Sequence, residues 1–482
     1  MACLCVARGQ MSDEFKFDPS PVIKDLTASG CRELCQPVPF RFQISRSLLP
    51  LYFTKYTTHM THKRKMNSNK NDNYDVIVIG GGPAGNTIAA LVAEKGHRVL
   101  LLERDEFPRF KIGESLMPAT YWTLKRLGVL EQLKASHFPK KYSVQFYSRL
   151  GKASKPFHFF ENDPHESSMT WQVLRSEFDQ MLLENAQEKG VTVRQGANVH
   201  EVLFQGDNAV GVQAKLLDGS VKDFMARVVV DATGQSALIA RKLKIKTTEP
   251  ELQKASIFTH FEGGVRDEGI DEGATLILHT ENKDSWFWYI PLPNDRVSVG
   301  VVGSLDYLMQ NRSEGAQKIF DDELKKCSAL KPRIENAKQV FPVKVTKDFS
   351  YRASRIAGDG WVLVGDAFGF LDPIYSSGVF LALKSGEMAA DAINEAFEKE
   401  DFSALQLGRF ASEFAVGMEA IRKLVYAFYT RDFSFAKFLK RFPECQQGIV
   451  DILSGNVYRK DVSAIFGPMG EMCPLPKDFT SD

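Results

Sequence analysis

Three glycines spaced as Gly80-x-Gly82-x-x-Gly85 follow the β-branched run Val76-Ile77-Val78-Ile79 and open an alanine-rich stretch that reads as a helix to about Lys95. Gly96 stops that helix. Arg98-Val99-Leu100-Leu101-Leu102 then reads as a second strand closed by Glu103, 21 positions after Gly82. Gly80 permits the tight turn, Gly82 lets the backbone approach a pyrophosphate, and Gly85 allows close helix packing, while the helix N-terminus offers free N–H groups to the phosphate charge. A carboxylate at Glu103 can accept hydrogen bonds from both ribose hydroxyls. Strand, glycine turn, helix and acidic strand end in register make a βαβ dinucleotide-binding unit.

Two further strands end in residues of chemical interest. Trp361-Val362-Leu363-Val364 runs into Gly365-Asp366 before a loop and a small-residue helix from about Gly378, and Val229-Val230 runs into Asp231-Ala232-Thr233-Gly234. Both resemble motifs of FAD-dependent monooxygenase-type proteins. The resemblance implies FAD rather than NAD, with Asp366 meeting the ribityl or pyrophosphate part and Asp231 beside the cofactor. Taken alone, Asp366 also reads as a helix N-cap.

The intervening segments narrow the family. Phe107-Pro108-Arg109-Phe110-Lys111-Ile112-Gly113-Glu114-Ser115-Leu116-Met117-Pro118 resembles the segment after the second strand in flavin-dependent halogenases. Trp286-Phe287-Trp288-Tyr289-Ile290-Pro291 contains their Trp-x-Trp-x-Ile-Pro signature, and Phe370-Leu371-Asp372-Pro373-Ile374-Tyr375-Ser376-Ser377-Gly378-Val379 resembles their halide and isoalloxazine loop. The resemblance covers about residues 73–395. It implies cofactor contacts at Gly80, Gly82, Ala84, Gly85, Glu103, Arg109, Gly113, Glu114, Ser115, Arg175, Asp231, Gly365, Asp366, Gly378 and Val379, and chloride or bromide on the amides of Ser377 and Gly378. Arg175 is also readable as a surface helix charge, and the loop as a glycine-permitted turn before a helix.

Family resemblance further implies that reduced FAD, O2 and halide yield a hypohalous species delivered by a lysine. Lys141, in His137-Phe138-Pro139-Lys140-Lys141-Tyr142-Ser143, matches the position of that lysine in the phenol and pyrrole halogenases, with Lys140 as its rival. His137 and Ser143 stand where the family pattern has glycines. A lysine whose pKa is lowered by desolvation could serve as nucleophile or hydrogen-bond donor. Trp286 and Trp288 are expected to wall the substrate off from the flavin, although paired tryptophans in a strand also make ordinary core. Tyr375 stands where tryptophan halogenases carry a glutamate, which points to a phenol or pyrrole substrate, free or bound to a carrier protein. Rival readings are a geranylgeranyl-reductase-type FAD oxidoreductase, an FAD-dependent aromatic hydroxylase and a non-enzymatic flavin-binding protein. No second glycine-rich NAD(P)H unit is recognisable, so a separate flavin reductase is the expected electron source.

The elements that must position these residues divide unevenly along the chain. Strand-like runs with turn signals occupy 191–234, alternating runs such as Ala274-Thr275-Leu276-Ile277-Leu278 and Val297-Ser298-Val299-Gly300-Val301-Val302 occupy 256–345, and helix-compatible, aromatic-rich sequence follows Asp391. The expected fold is α/β + β: a glutathione-reductase-like (Rossmann-type) FAD-binding domain (73–136, 174–255, 349–395) interleaved with an antiparallel β-sheet substrate domain (137–173, 256–348), plus C-terminal helices (396–482). The aromatic stretch 410–442 is expected to lid a substrate tunnel or to form helix core.

Composition excludes other classes. The 482 residues carry 61 Lys+Arg against 60 Asp+Glu, which gives no electrostatic reason to bind nucleic acid or an anionic membrane. No apolar run approaches the ~18 residues of a membrane span. Nine scattered histidines offer no metal site. Residues 1–65 hold ten basic and five acidic residues, leaving 51 basic against 55 acidic beyond them. They read as a disordered N-terminal extension or a targeting arm, with the functional protein starting near Met66. The remaining cysteines, Cys327, Cys445 and Cys473, are far apart, as expected of a reducing, cytoplasmic setting.

Overall fold

The computed structural model describes residues 73–310 and 312–479, all within one compact unit. The expectations for residues 1–65 and for a start at Met66 lie outside the described residues. Two sheets and a set of helices make a mixed α/β fold.

The first sheet has a parallel core. The strand Asn73–Ile79 lies at its centre, paired in parallel with Val221–Asp231 on one side and Val99–Leu102 on the other; Trp361–Leu363 and Thr192–Arg194 extend it outward, also in parallel. Val76, Ile77, Val78 and Leu100 are fully buried, as strands covered on both faces require. The hairpin Asn198–Gln205 and Asn208–Lys215 joins it through antiparallel pairing with Val221–Asp231. One face is covered by the helices Pro83–Ala93 and Ser377–Lys399, which touch closely at Gly386. A Cβ there would lie 2.7 Å from the Ala84 carbonyl oxygen.

In the second sheet the strand order is Gly369–Phe370, Lys344–Ala353, Lys246–Glu262, Arg296–Ser304, Ser285–Leu292, Thr275–His279, Ser143–Tyr147 and Phe157–His158. It is antiparallel except that Thr275–His279 and Ser143–Tyr147 run parallel, a pairing of strands far apart in sequence that alternation could not show. Lys246–Glu262 lies wholly in this sheet and runs through the expected boundary at 255/256. Across the sheet, Trp288 faces Gly300, where a Cβ would lie 2.2 Å from the indole. A two-residue ribbon, Lys140–Lys141 against Thr170–Trp171, sits beside it.

Helices from Ala404 onward include Ala411–Tyr429. Within them Phe414 and Phe438 are buried core, while Phe428 and Tyr429 reach the second sheet, the first through ring contacts with His279 and Trp286, the second through a hydrogen bond from Trp286. Among the described residues no helix is long and apolar enough to cross a membrane, and no group of acidic, His and Cys side chains is placed to hold a metal.

Replacing Gly386 by Ala should destabilise the protein by about 1–3 kcal/mol through forced separation of the two helices, although Ala in a helix normally gains about 1 kcal/mol over Gly. Denaturant melts decide the sign; a stabilised variant would mean that the helices can part freely.

Candidate functional site

Between the sheets runs a cleft of about 690 Å³, lined by the glycine turn, the 109–115 segment, Arg175, Ala232–Ser236, Gly365–Asp366, Asp372–Ile374, Ser376, Gly378 and Val379, with Ser256, Thr275, Ile277, Trp288 and Ile290 from the second sheet. Gly80 has φ +104°, and a Cβ there would lie 2.5 Å from the Ala232 oxygen; on Gly85 it would lie 1.9 Å from the Gly80 oxygen. Only glycine fits either position. A Cβ on Gly82 would meet nothing within 4 Å, so that glycine faces open cleft.

Glu103 ends its strand with Oε2 accepting from the Gly81 N–H (2.7 Å) and Oε1 from the Asp105 N–H (2.9 Å). Arg109 donates to the Gly81 carbonyl (3.3 Å) and to Asp179 (2.8 Å). Arg175 grips the same Asp179 through Nε (2.8 Å) and Nη2 (2.9 Å), and its Nη1 donates to the Ile112 carbonyl at 2.5 Å. Gly113 has φ +103°, and a Cβ there would crowd that guanidinium at 2.9 Å. Asp179 is fully buried and was not anticipated; its position, one helical turn after Arg175, was the available signal. Glu114 and His260, both buried, meet with 2.7 Å between Oε1 and Nε2.

The Asp231 carboxylate turns away from the cleft. It accepts from the Thr233 N–H and hydroxyl and from the Ile239 N–H, so it shapes the loop whose neighbours line the cleft. Asp366 is enclosed by protein but opens to the cleft on one side, and burial pushes its carboxyl up to about 6. Gly365 has φ +57°, and its N–H donates to Ser385 Oγ. Ser376, in the left-handed region at φ +58°, starts the helix Ser377–Lys399. Gly378 lines the cleft and Ser377 is buried beside it; the first-turn N–H groups there lack intrahelical acceptors.

The ribbon separates the two lysines. Lys140 is exposed and Lys141 only 3% exposed, because successive strand side chains point to opposite faces. Lys141 Nζ donates to Ser115 Oγ (2.9 Å) and the Leu116 carbonyl (3.0 Å). Ser115 Oγ in turn meets Thr275 Oγ1 at 2.9 Å, which also accepts from Gln172. Ser115 and Thr275 line the cleft, whereas Lys141 lies behind them. Burial, with no anionic partner among the described residues, lowers its ammonium to about 7.

Trp288 lines the cleft and donates to Ser298 Oγ. Trp286 stands two residues along the same strand face and is buried, with its indole N–H on Tyr429 OH (3.1 Å). Tyr429 donates to Asp372 (3.1 Å), whose carboxyl burial pushes up to about 6. Asp372 lies in the segment read as the halide loop and Tyr429 in the aromatic stretch 410–442, but nothing in the sequence joined the two.

The tryptophan halogenase family model matches residues 75–171 and 149–444. The chain belongs to the flavin-dependent halogenases. It is similar to a 1H-pyrrole-2-carbonyl-(peptidyl-carrier protein) chlorinase of Pseudomonas fluorescens, at 32% identity over 80% of this chain and 90% of that protein. With the corresponding brominase of Pseudoalteromonas luteoviolacea it shares 37% identity over 68% and 79%. A solved flavin-dependent brominase superposes with a TM-score of 0.74 at 31% identity, over 83% of this chain and 98% of that one. For the myxobacterial chondrochloren halogenase the values are 0.71 and 31%, over 85% and 99%. The protein is thus an FAD-dependent halogenating oxidoreductase, which sets aside the reductase, hydroxylase and non-enzymatic expectations. The cleft fits FAD: Gly82 leaves open space, Glu103 closes the adjacent strand, and the Asp366 carboxyl opens onto the cavity.

Asp179→Ala would remove the carboxylate shared by two buried guanidiniums, leaving Arg109 its longer contact with Glu103 at 3.6 Å. A stability loss of about 3–5 kcal/mol is expected, with FAD retention on purification falling in parallel. Denaturant titration and flavin absorbance read the two effects; undiminished stability would mean that the arginines find other anions.

Proposed function

We propose that this halogenase uses reduced FAD, O2 and chloride or bromide to make a hypohalous acid, which Lys141 delivers to an electron-rich pyrrole or phenol. The reading rests on Lys141, a buried amine whose hydrogen bond reaches a cleft-lining hydroxyl, Ser115. Bound reduced FAD would give two electrons and two protons to O2, which takes two more electrons from the halide and, with one further proton, ends as hypohalous acid and water. In this reading a glutathione-reductase-like (Rossmann-type) domain (73–136, 174–255, 349–395) holds the cofactor and the 137–173 and 256–348 segments hold the substrate.

Each group has a defined task. Glu103 accepts from ribose, the glycine turn and Gly365–Asp366 hold the pyrophosphate and ribityl regions, Arg109 and Arg175 brace the surrounding backbone, and Glu114 pairs with His260 beside them. The amides of Ser377 and Gly378, at the positive end of a 23-residue helix, hold the halide. Trp286 and Trp288 keep substrate off the flavin. An amine near neutrality at pH 7 can take halogen from the hypohalous acid with loss of water and pass it to a ring carbon, whose proton returns to the amine. Substrates of the pyrrole-carrier relatives extend to this chain as a proposal: a pyrrole or phenol, free or tethered to a carrier protein. A separate flavin reductase supplies the reduced flavin, and a cytoplasmic setting suits both partners.

The deciding experiment supplies a flavin reductase, NADH, O2 and halide with free pyrroles, free phenols and a carrier-bound pyrrole, and searches by mass spectrometry for halogen isotope patterns. Hydroxylated product independent of halide would overturn the reading. Lys141→Ala should lower halogenated product at least 100-fold while flavin oxidation continues; unchanged yield removes Lys141 from the site. Because burial lowers the Lys141 ammonium to about 7, the neutral amine prevails above that pH. The ratio of halogenated product to flavin oxidised should therefore rise through about pH 7, and a flat ratio between about pH 6 and 8 would contradict a nucleophilic amine.

A further inference from the structure

Asp372 opens the short turn Pro373–Tyr375, which ends in left-handed Ser376 and delivers the chain into the helix Ser377–Lys399. A non-glycine residue in that conformation costs of order 1 kcal/mol and persists only when its surroundings hold it. Two contacts from the helix Ala411–Tyr429 hold this turn. Tyr375 OH donates to the Leu424 carbonyl (3.0 Å), and Tyr429 OH donates to the Asp372 carboxylate (3.1 and 3.2 Å). Within the turn, Asp372 Oδ1 accepts the Ile374 N–H at 3.0 Å.

Tyr429 is fixed from the other side as well. The Trp286 indole, which can only donate, bonds to its hydroxyl, and Lys254 Nζ lies 4.0 Å from its ring centroid. Indole, phenol and carboxylate thus form a directed chain across the second sheet, the C-terminal helix and the turn that opens the cleft-facing helix. Asp372 is only 2% exposed, so its carboxylate has little water to replace a lost donor.

We infer that Tyr429 is a positioning residue for the halide: by holding the Asp372 carboxylate it sets the Pro373–Ser376 turn and the aim of the Ser377 and Gly378 amides. The inference rests on the halide site of the proposed function and adds a residue from outside the loop. It also ties the Trp286 side of the substrate wall to the halide loop through one hydroxyl.

Bromide titration of the oxidised, FAD-loaded protein, followed by the flavin absorbance change, measures halide affinity without turnover. Tyr429→Phe, which keeps the ring and removes only the hydroxyl, should weaken bromide about tenfold and leave FAD affinity within twofold. In an Asp372→Asn background the same change should move bromide affinity less than twofold, because the group it acts through is already altered. Trp286→Phe, which frees the hydroxyl from its other partner, should weaken bromide in the same direction. A Tyr429→Phe loss under threefold, or one that persists undiminished beside Asp372→Asn, overturns the inference. If the native protein binds no bromide, the halide reading itself fails; if the native protein binds it and Tyr429→Phe binds it equally, only the role of Tyr429 falls.

Discussion

The buried carboxylate of Asp179 joins separate pieces of chain on the cofactor side of the cleft. Without a partner its charge would be intolerable in the interior, and two guanidiniums converge on it, one from Arg109 and one, with two N–H groups, from Arg175. Each arginine then uses a remaining donor on a backbone carbonyl, Gly81 in one case and Ile112 in the other. The glycine turn, the 109–115 segment and the helix Arg175–Glu188 are therefore tied through Asp179, while Glu103 adds a second carboxylate against Arg109 (3.6 Å) and the Gly81 N–H. Three pieces of chain far apart in sequence share a geometry that no local propensity could impose.

The same interior handles a third cation differently. Lys141 is as deeply buried as the two arginines, but its hydrogen bonds among the described residues go to a hydroxyl and a carbonyl. With no anion to offset desolvation, its charged form is disfavoured and it titrates near neutrality. The contrast separates structure from chemistry within one cleft. Arginines matched to a carboxylate brace the backbone, whereas an amine with no carboxylate against it among the described residues remains available to take and release a proton.

Legibility in the sequence followed the range of the interactions. The glycine turn, Glu103 and the strands around Gly80, Gly234 and Gly365 were readable because turn, strand and helix start lie within a few residues of one another. Lys141 could be separated from Lys140 only when the ribbon showed which side chain points inward. Asp179, Thr275, Asp372 and Tyr429 were not readable as a set, since their partners lie four to 160 residues away. Asp231 shows the converse: its motif was recognisable, yet its carboxylate serves the loop's own backbone, so the cleft meets the loop it shapes. The parallel pairing of Thr275–His279 with Ser143–Tyr147 was hidden because alternation reports which face is buried and leaves strand direction open.

Trp286 and Trp288 share one strand face but have different tasks. Trp288 lies against Gly300, where the absent side chain makes room for the indole, and its N–H is held by Ser298. That pairing of the largest side chain with the smallest seats the indole over Gly300, and Trp288 also lines the cleft. Trp286 has its N–H on a tyrosine of another element and its ring against Phe428. One indole is thus held within the sheet and the other by the helix Ala411–Tyr429. The setting of Trp286 therefore depends on the helix Ala411–Tyr429 staying docked, and that helix is anchored by buried Phe414, Ile421 and Leu424.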